Sequence, residues 1–265
     1  MSVNYEIDNR VAIITGASSG IGFAAAKGLA LQGVNLVLVS RTEEKLKYAQ
    51  AEIKALANVE VEIFSGDVID KSLSQKVIDL AVSKWGKVDI LVNNAGGPPM
   101  GSFLEHDDDA WDEALDQNLK STIRFTRAVA PLMIANSWGR IINITSTLAK
   151  EPTPLMVLSA TARAGVSAFS KSISSELAEY GVTINTLCPG GVLTERLHSL
   201  LMTAAEKQEK SYQEVLESSQ ATIPLGRFAE PEEFADMLVF MASERARYIT
   251  GTTVMVDGGL TKGVF

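Results

Sequence analysis

The chain is poor in cysteine, in long apolar runs and in net positive charge. Its single cysteine, Cys188, cannot close an internal disulfide, so stability must come from a buried core, and a reducing compartment such as the cytoplasm is expected. No stretch reaches the ~18 uninterrupted apolar residues of a membrane span. The opening Met-Ser-Val-Asn-Tyr-Glu-Ile-Asp has no basic segment followed by an apolar one. Lysine and arginine number 24 against 32 aspartates and glutamates, a net charge of −8, and the cations are scattered. That excludes the basic face nucleic acid requires. A soluble cytoplasmic protein acting on a small molecule is expected, without a nucleic-acid or membrane partner and without a metal.

What is present is a full core. The chain has 265 residues, 46% of them hydrophobic, which suits one domain over residues 1–265. Short, mostly continuous apolar runs predict strands at Val11–Thr15, Asn35–Val39, Glu60–Phe64, Ile90–Asn93, Arg140–Thr145, Thr183–Leu187 and Thr253–Val256. Amphipathic stretches between them predict helices at Gly20–Gln32, Thr42–Ala57, Lys71–Trp85, Asp109–Ala135, Leu158–Tyr180 and Pro231–Ala242. The alternation predicts an α/β fold: a doubly wound parallel sheet of about seven strands with helices on both faces. Glu195–Ala221 interrupts the rhythm with polar, charged sequence. It reads as a lid over a site or as a surface helical insertion.

The first strand runs into Thr15-Gly16-Ala17-Ser18-Ser19-Gly20-Ile21-Gly22. Glycines allow a tight turn and close backbone approach to a pyrophosphate. The next helix offers free N–H groups and its positive end to the anion. The context, a buried strand before and a helix after, is the one a dinucleotide motif needs. An NAD site would place an acid at the end of the second strand, to hold the ribose 2′-hydroxyl. Here stand Ser40 and Arg41. No carboxylate repels a 2′-phosphate and Arg41 can pair with one, so NADP(H) is favoured, with NAD(H) also possible. Alternatively, Arg41 is an exposed charge near a helix start.

These residues are joined by Asn93-Asn94-Ala95-Gly96, Asn118, Ser146, Pro189-Gly190 with Thr194, and Val256-Asp257-Gly258-Gly259. Over essentially its whole length the chain resembles the classical short-chain dehydrogenase/reductase family, and within it the 3-oxoacyl-(acyl-carrier-protein) reductase-like branch. The resemblance implies a single-domain Rossmann fold. It implies adenine contacts from Asp67 and Val68, and adenosine and ribose contacts from Asn94, Ala95 and Gly96. Pro189, Gly190, Val192 and Thr194 would hold the nicotinamide end. Homo-oligomers, tetrameric or dimeric, are implied through the helices predicted at Asp109–Ala135 and Leu158–Tyr180, although their apolar residues equally suit packing on the sheet.

The same resemblance exposes a departure. Family members carry a serine, then a Tyr-x-x-x-Lys pair in which tyrosine exchanges a proton with substrate while lysine lowers its pKa and binds the ribose. This chain has Ser146 and the relay asparagine, Asn118, but Ser159 and Arg163 at the paired positions, and no tyrosine between Tyr48 and Tyr180. An aliphatic hydroxyl is far less acidic than a phenol of pKa ~10, and arginine stays protonated. Ser146 is expected to orient the substrate oxygen, Asn118 a relay water, and Arg163 the ribose. Lys150, Glu151, His198 and Tyr212 are candidate substitutes for the missing proton donor. Two readings follow: an NADP(H)-dependent oxidoreductase on a carbonyl or alcohol with an atypical relay, or a non-catalytic NADP(H)-binding sensor or accessory subunit.

Overall fold

The computed structural model describes residues 4–264; the ends of the predicted domain, with the first residues of the N-terminal reading, lie outside them. The described strands are β1 (Val11–Thr15), β2 (Asn35–Ser40), β3 (Val61–Ser65), β4 (Ile90–Asn93), β5 (Gly139–Ile144), β6 (Val182–Pro189) and β7 (Thr253–Val256). They form one parallel sheet in the order β3-β2-β1-β4-β5-β6-β7. The helices are α1 (Gly20–Ala30), α2 (Glu43–Leu56), α3 (Leu73–Trp85), α4 (Asp108–Leu115), α5 (Ser121–Ala135), α6 (Val157–Ala178), α7 (Glu195–Gln208), α8 (Tyr212–Ala221) and α9 (Pro231–Met241). Among the described residues no helix is long and apolar enough to cross a membrane.

Two cores explain why the strands read as continuous apolar runs. Successive side chains leave a strand on opposite faces. Ile14, Leu36 and Leu38 accordingly join the core under α1 and α9, with Leu29, Phe234 and Leu238. Ile13, Val37 and Val39 join the other, with Phe125, Val129 and Ile141. Each fully buried Leu, Ile or Phe contributes roughly 1.5–3 kcal/mol, so a substitution on either face of the sheet is felt.

Helix ends follow local chemistry. Gly86 at φ +73° stops α3. Pro231 starts α9 behind a Glu230–Glu233 capping box. One predicted helix is broken, however. The stretch expected as Asp109–Ala135 is α4, a π turn over Asp116–Lys120, and α5. Side chains there compete for backbone carbonyls: Asn118 Nδ2 donates to Ala114 O (3.2 Å) and Thr122 Oγ1 to Asn118 O (3.0 Å). Such competition widens a helical turn. Residues 195–221 are the helical pair α7–α8. Their Leu201, Ala205 and Val215 form a small separate core with Ile223 and Phe228 of the segment that follows.

Candidate active site

The strand order changes direction between β1 and β4, and open parallel sheets bind ligands beyond the carboxyl ends of their strands at such a point. A cleft of about 490 Å³ opens there. Its phosphate end is built by close backbone packing. Gly16 sits at φ +60°, and a Cβ there would lie 2.7 Å from both the carboxamide nitrogen and the carbonyl oxygen of Asn94. A Cβ on Gly22 would lie 2.2 Å from Gly16 O. Asn94 Nδ2 donates to Gly16 O (3.2 Å), while Thr15 Oγ1 accepts from Asn94 N (2.8 Å) and donates to Asn94 O (2.9 Å). Asn94 therefore braces the ends of β1 and β4 as well as facing the cleft. No side chain caps α1 at Ser19, so its first turn keeps N–H groups for an anion.

Further along, Ser40 Oγ donates to Ser18 Oγ (2.9 Å). Arg41 is exposed at the cleft wall and forms no ion pair among the described residues. Asp67 and Val68 line the same wall, with Asp67 Oδ1 accepting from Ile69 N (3.1 Å). A glycine cradle, a free helix start and a cation without an ion-pair partner among the described residues fit a phosphorylated dinucleotide. Gly16, Ser18, Ser19, Gly20, Ile21, Asn94, Ala95, Gly96, Pro189, Gly190 and Thr194 all line this cleft.

The floor holds Ser146, Ser159 and Arg163 together. Ser146 lies two residues beyond β5 and caps the turn that follows, its Oγ accepting from Leu148 N (3.2 Å). Ser159 and Arg163 lie one turn apart on α6, both buried. Arg163 Nε donates to Ser159 Oγ (3.2 Å), Nη1 to Thr145 O (2.5 Å) and Ile144 O (3.4 Å), and Nη2 to Ala95 O (3.5 Å). No carboxylate pairs with it among the described residues. Burial draws its pKa down to about 10, so it remains a cation near neutrality.

Several expected residues lie elsewhere. Asn118 is buried in the π turn, its carboxamide on Ala114 O, and does not line the cleft; the neighbouring Gln117 does. Gly22 acts one layer behind the cleft wall, through its contact with Gly16. Val192 is buried and bridged to Ala229. None of the candidate proton donors lines the cleft. Glu151 Oε1 accepts from Lys262 N (2.6 Å) and Gly263 N (2.7 Å), which ties it to the C-terminal tail. His198 Nδ1 and Tyr212 Oη pair at 3.0 Å between α7 and α8, and Lys150 is exposed. Sequence reasoning missed Lys45 and Arg196. Lys45 sits one helical turn beyond Arg41, a spacing that could have flagged it. Nothing in the sequence brings Arg196 of α7 beside the loop after β4.

A family model described as enoyl-(acyl carrier protein) reductase matches residues 16–261. A putative ketoacyl reductase of the monensin polyketide synthase from Streptomyces virginiae is 39% identical, over 95% of this chain and 97% of its own. The 3-oxoacyl-(acyl-carrier-protein) reductase of Thermotoga maritima is 32% identical, over 96% and 98%. The crystal structure of L-sorbose reductase from Gluconobacter frateurii, complexed with NADPH and L-sorbose, superposes with a TM-score of 0.94 at 32% identity, over 99% of this chain and 100% of that one. Fold and site define a Rossmann-type oxidoreductase. The chain belongs to the short-chain dehydrogenase/reductase family, and its relatives include the ketoacyl reductases.

Proposed function

We propose that the protein is an NADP(H)-dependent reductase of a carbonyl compound that works through an atypical hydroxyl pair. The observation that carries this is one cleft joining the glycine turn and Arg41 at one end to Ser146, Ser159 and Arg163 at the other. Bound NADPH supplies the hydride. Ser159 Oγ accepts from Arg163 and Ser146 Oγ accepts from Leu148 N, so each hydroxyl keeps its own O–H to donate. Both donate to the substrate oxygen as it gains charge, a stabilisation that does not require them to ionise. Arg163 polarises Ser159 and holds the floor positive. Water, through Ser159, finally protonates the product oxygen. Gln117, which lines the cleft, takes the place expected for Asn118.

The pair α7–α8 serves as the lid. One domain over residues 1–265 and a cytoplasmic homo-oligomer complete this reading. The family resemblance and a single, buried thiol support it. A non-catalytic NADP(H)-binding role is favoured by one observation: among the described residues no tyrosine, histidine or cysteine lines the cleft. NADPH consumption across β-ketoacyl thioesters, ketones and aldehydes decides between them, with the Ser159→Tyr/Arg163→Lys variant run in parallel. Turnover by the natural protein supports the enzyme. Turnover by the variant alone supports the binding role.

A further inference from the structure

Arg196 lies in the first turn of α7 and lines the same cleft as the hydroxyl pair. Its Nη2 donates to Pro98 O (2.9 Å). The loop that receives it lies close against it: a Cβ on Gly97 would stand 3.2 Å from Nη2 and 3.7 Å from Nε, so glycine here lets the guanidinium lie against the backbone without shifting. That one hydrogen bond occupies one of five N–H donors. The acid next to it in sequence does not compensate its charge. Glu195 pairs instead with Lys45 across the cleft mouth, at 3.1 Å.

Arg196 and Arg163 thus line one cleft, and neither has a carboxylate partner among the described residues. Each is felt by the medium around it: partial burial lowers the pKa of Arg196, and the charge of Arg196 adds to the burial that lowers that of Arg163. Two cations drawn partly out of water without an anion are unfavourable, and an anion inserted at the cleft relieves both. Leu148, Met156 and Leu200 supply apolar wall at the same site. A planar fork beside apolar surface matches a carboxylate on a hydrocarbon body better than a point charge would.

We propose that the substrate is a small oxo acid whose carboxylate is gripped by Arg196, making this arginine the residue that selects substrate. The proposal rests on the reductase reading of the cleft. It differs from a carrier-bound acyl chain in the group recognised: a free carboxylate, not a thioester.

The test is calorimetric titration of the full chain, saturated with NADP⁺ so that nothing turns over. The probes are 4-methyl-2-oxopentanoate, its methyl ester and pantetheine 4′-phosphate. A charge-assisted hydrogen bond is worth about 1.5–3 kcal/mol, so the acid should bind at least about tenfold tighter than the ester. Arg196→Gln should erase that difference and leave NADP⁺ affinity unchanged, and Arg196→Lys should restore part of it. Equal binding of acid and ester overturns the proposal. So does a preference for the phosphate probe alone, or a loss of NADP⁺ affinity in Arg196→Gln with the acid preference intact. Failure to bind NADP⁺ at all counts against the reductase reading, and the same acid-against-ester titration on the cofactor-free chain still tests Arg196.

Discussion

Arg163 Nε donates to Ser159 Oγ across 3.2 Å on α6, so the two residues that the family resemblance aligns with its Tyr-x-x-x-Lys positions are bonded to each other. The longer arginine fans over three backbone carbonyls in the space behind the serine. In the proposed reading the two act as a pair: one supplies a hydroxyl, the other fixes and polarises it.

This pair makes stability depend on alkaline pH. The folded pKa of Arg163, about 10, lies well below the ordinary arginine value, so between the two the unfolded chain binds more protons than the folded one. Folding stability contributed by this group therefore rises with pH through that window, and the full burial cost, on the order of 3 kcal/mol, applies below it. Urea unfolding of the natural chain and Arg163→Met at pH values near 9 and 11 checks this. The natural chain should gain on the variant at the higher pH, and a constant difference would refute it.

Arg41 stands at the cleft wall and forms no ion pair among the described residues. Arg41→Ala should weaken NADPH binding by about tenfold or more, the loss of a charge-assisted contact, and leave NADH binding unchanged. Fluorescence titration with both nucleotides reads this directly. An equal loss for both would assign Arg41 to something other than the 2′-phosphate.

Lys45 of α2 meets Glu195 of α7 at 3.1 Å, bridging the two sides of the cleft mouth. Both side chains are exposed, so the pair is worth no more than about 1 kcal/mol and is screened by salt. Glu195→Gln should speed NADPH release by about two- to fivefold in stopped-flow measurements at low salt. In high salt the natural chain should approach the variant.

Gly22 has no space for a methyl group, since its Cβ would fall 2.2 Å from Gly16 O. Gly22→Ala must push α1 away from the phosphate turn. A stability loss of about 1–3 kcal/mol is expected, as for other overpacked sites, and NADPH affinity should fall with it. Retained affinity would show that the turn tolerates the shift.

Much of this was legible in the chain. Apolar runs such as Val11–Thr15 and Ile90–Asn93 identify strands because both of their faces are buried, and the glycine turn announces itself by spacing. The break in the helix around Asn118 was not legible, since it arises from side chains competing for carbonyls one turn away. The fate of Glu151 was hidden too. Its partners, Lys262 N and Gly263 N, lie more than a hundred residues away in the chain.

By itself, then, the sequence determined the layered sheet, the glycine turn and the absence of any tyrosine between Tyr48 and Tyr180. These depend on residue type and on neighbours a few positions apart. Only the tertiary structure decided that Arg163 turns onto Ile144, Thr145 and Ala95, and that Arg196 meets Pro98 from a distant helix. Where a charged side chain ends depends on which carbonyls the packed sheet and loops leave open. That is settled by contacts between distant segments rather than by local pattern.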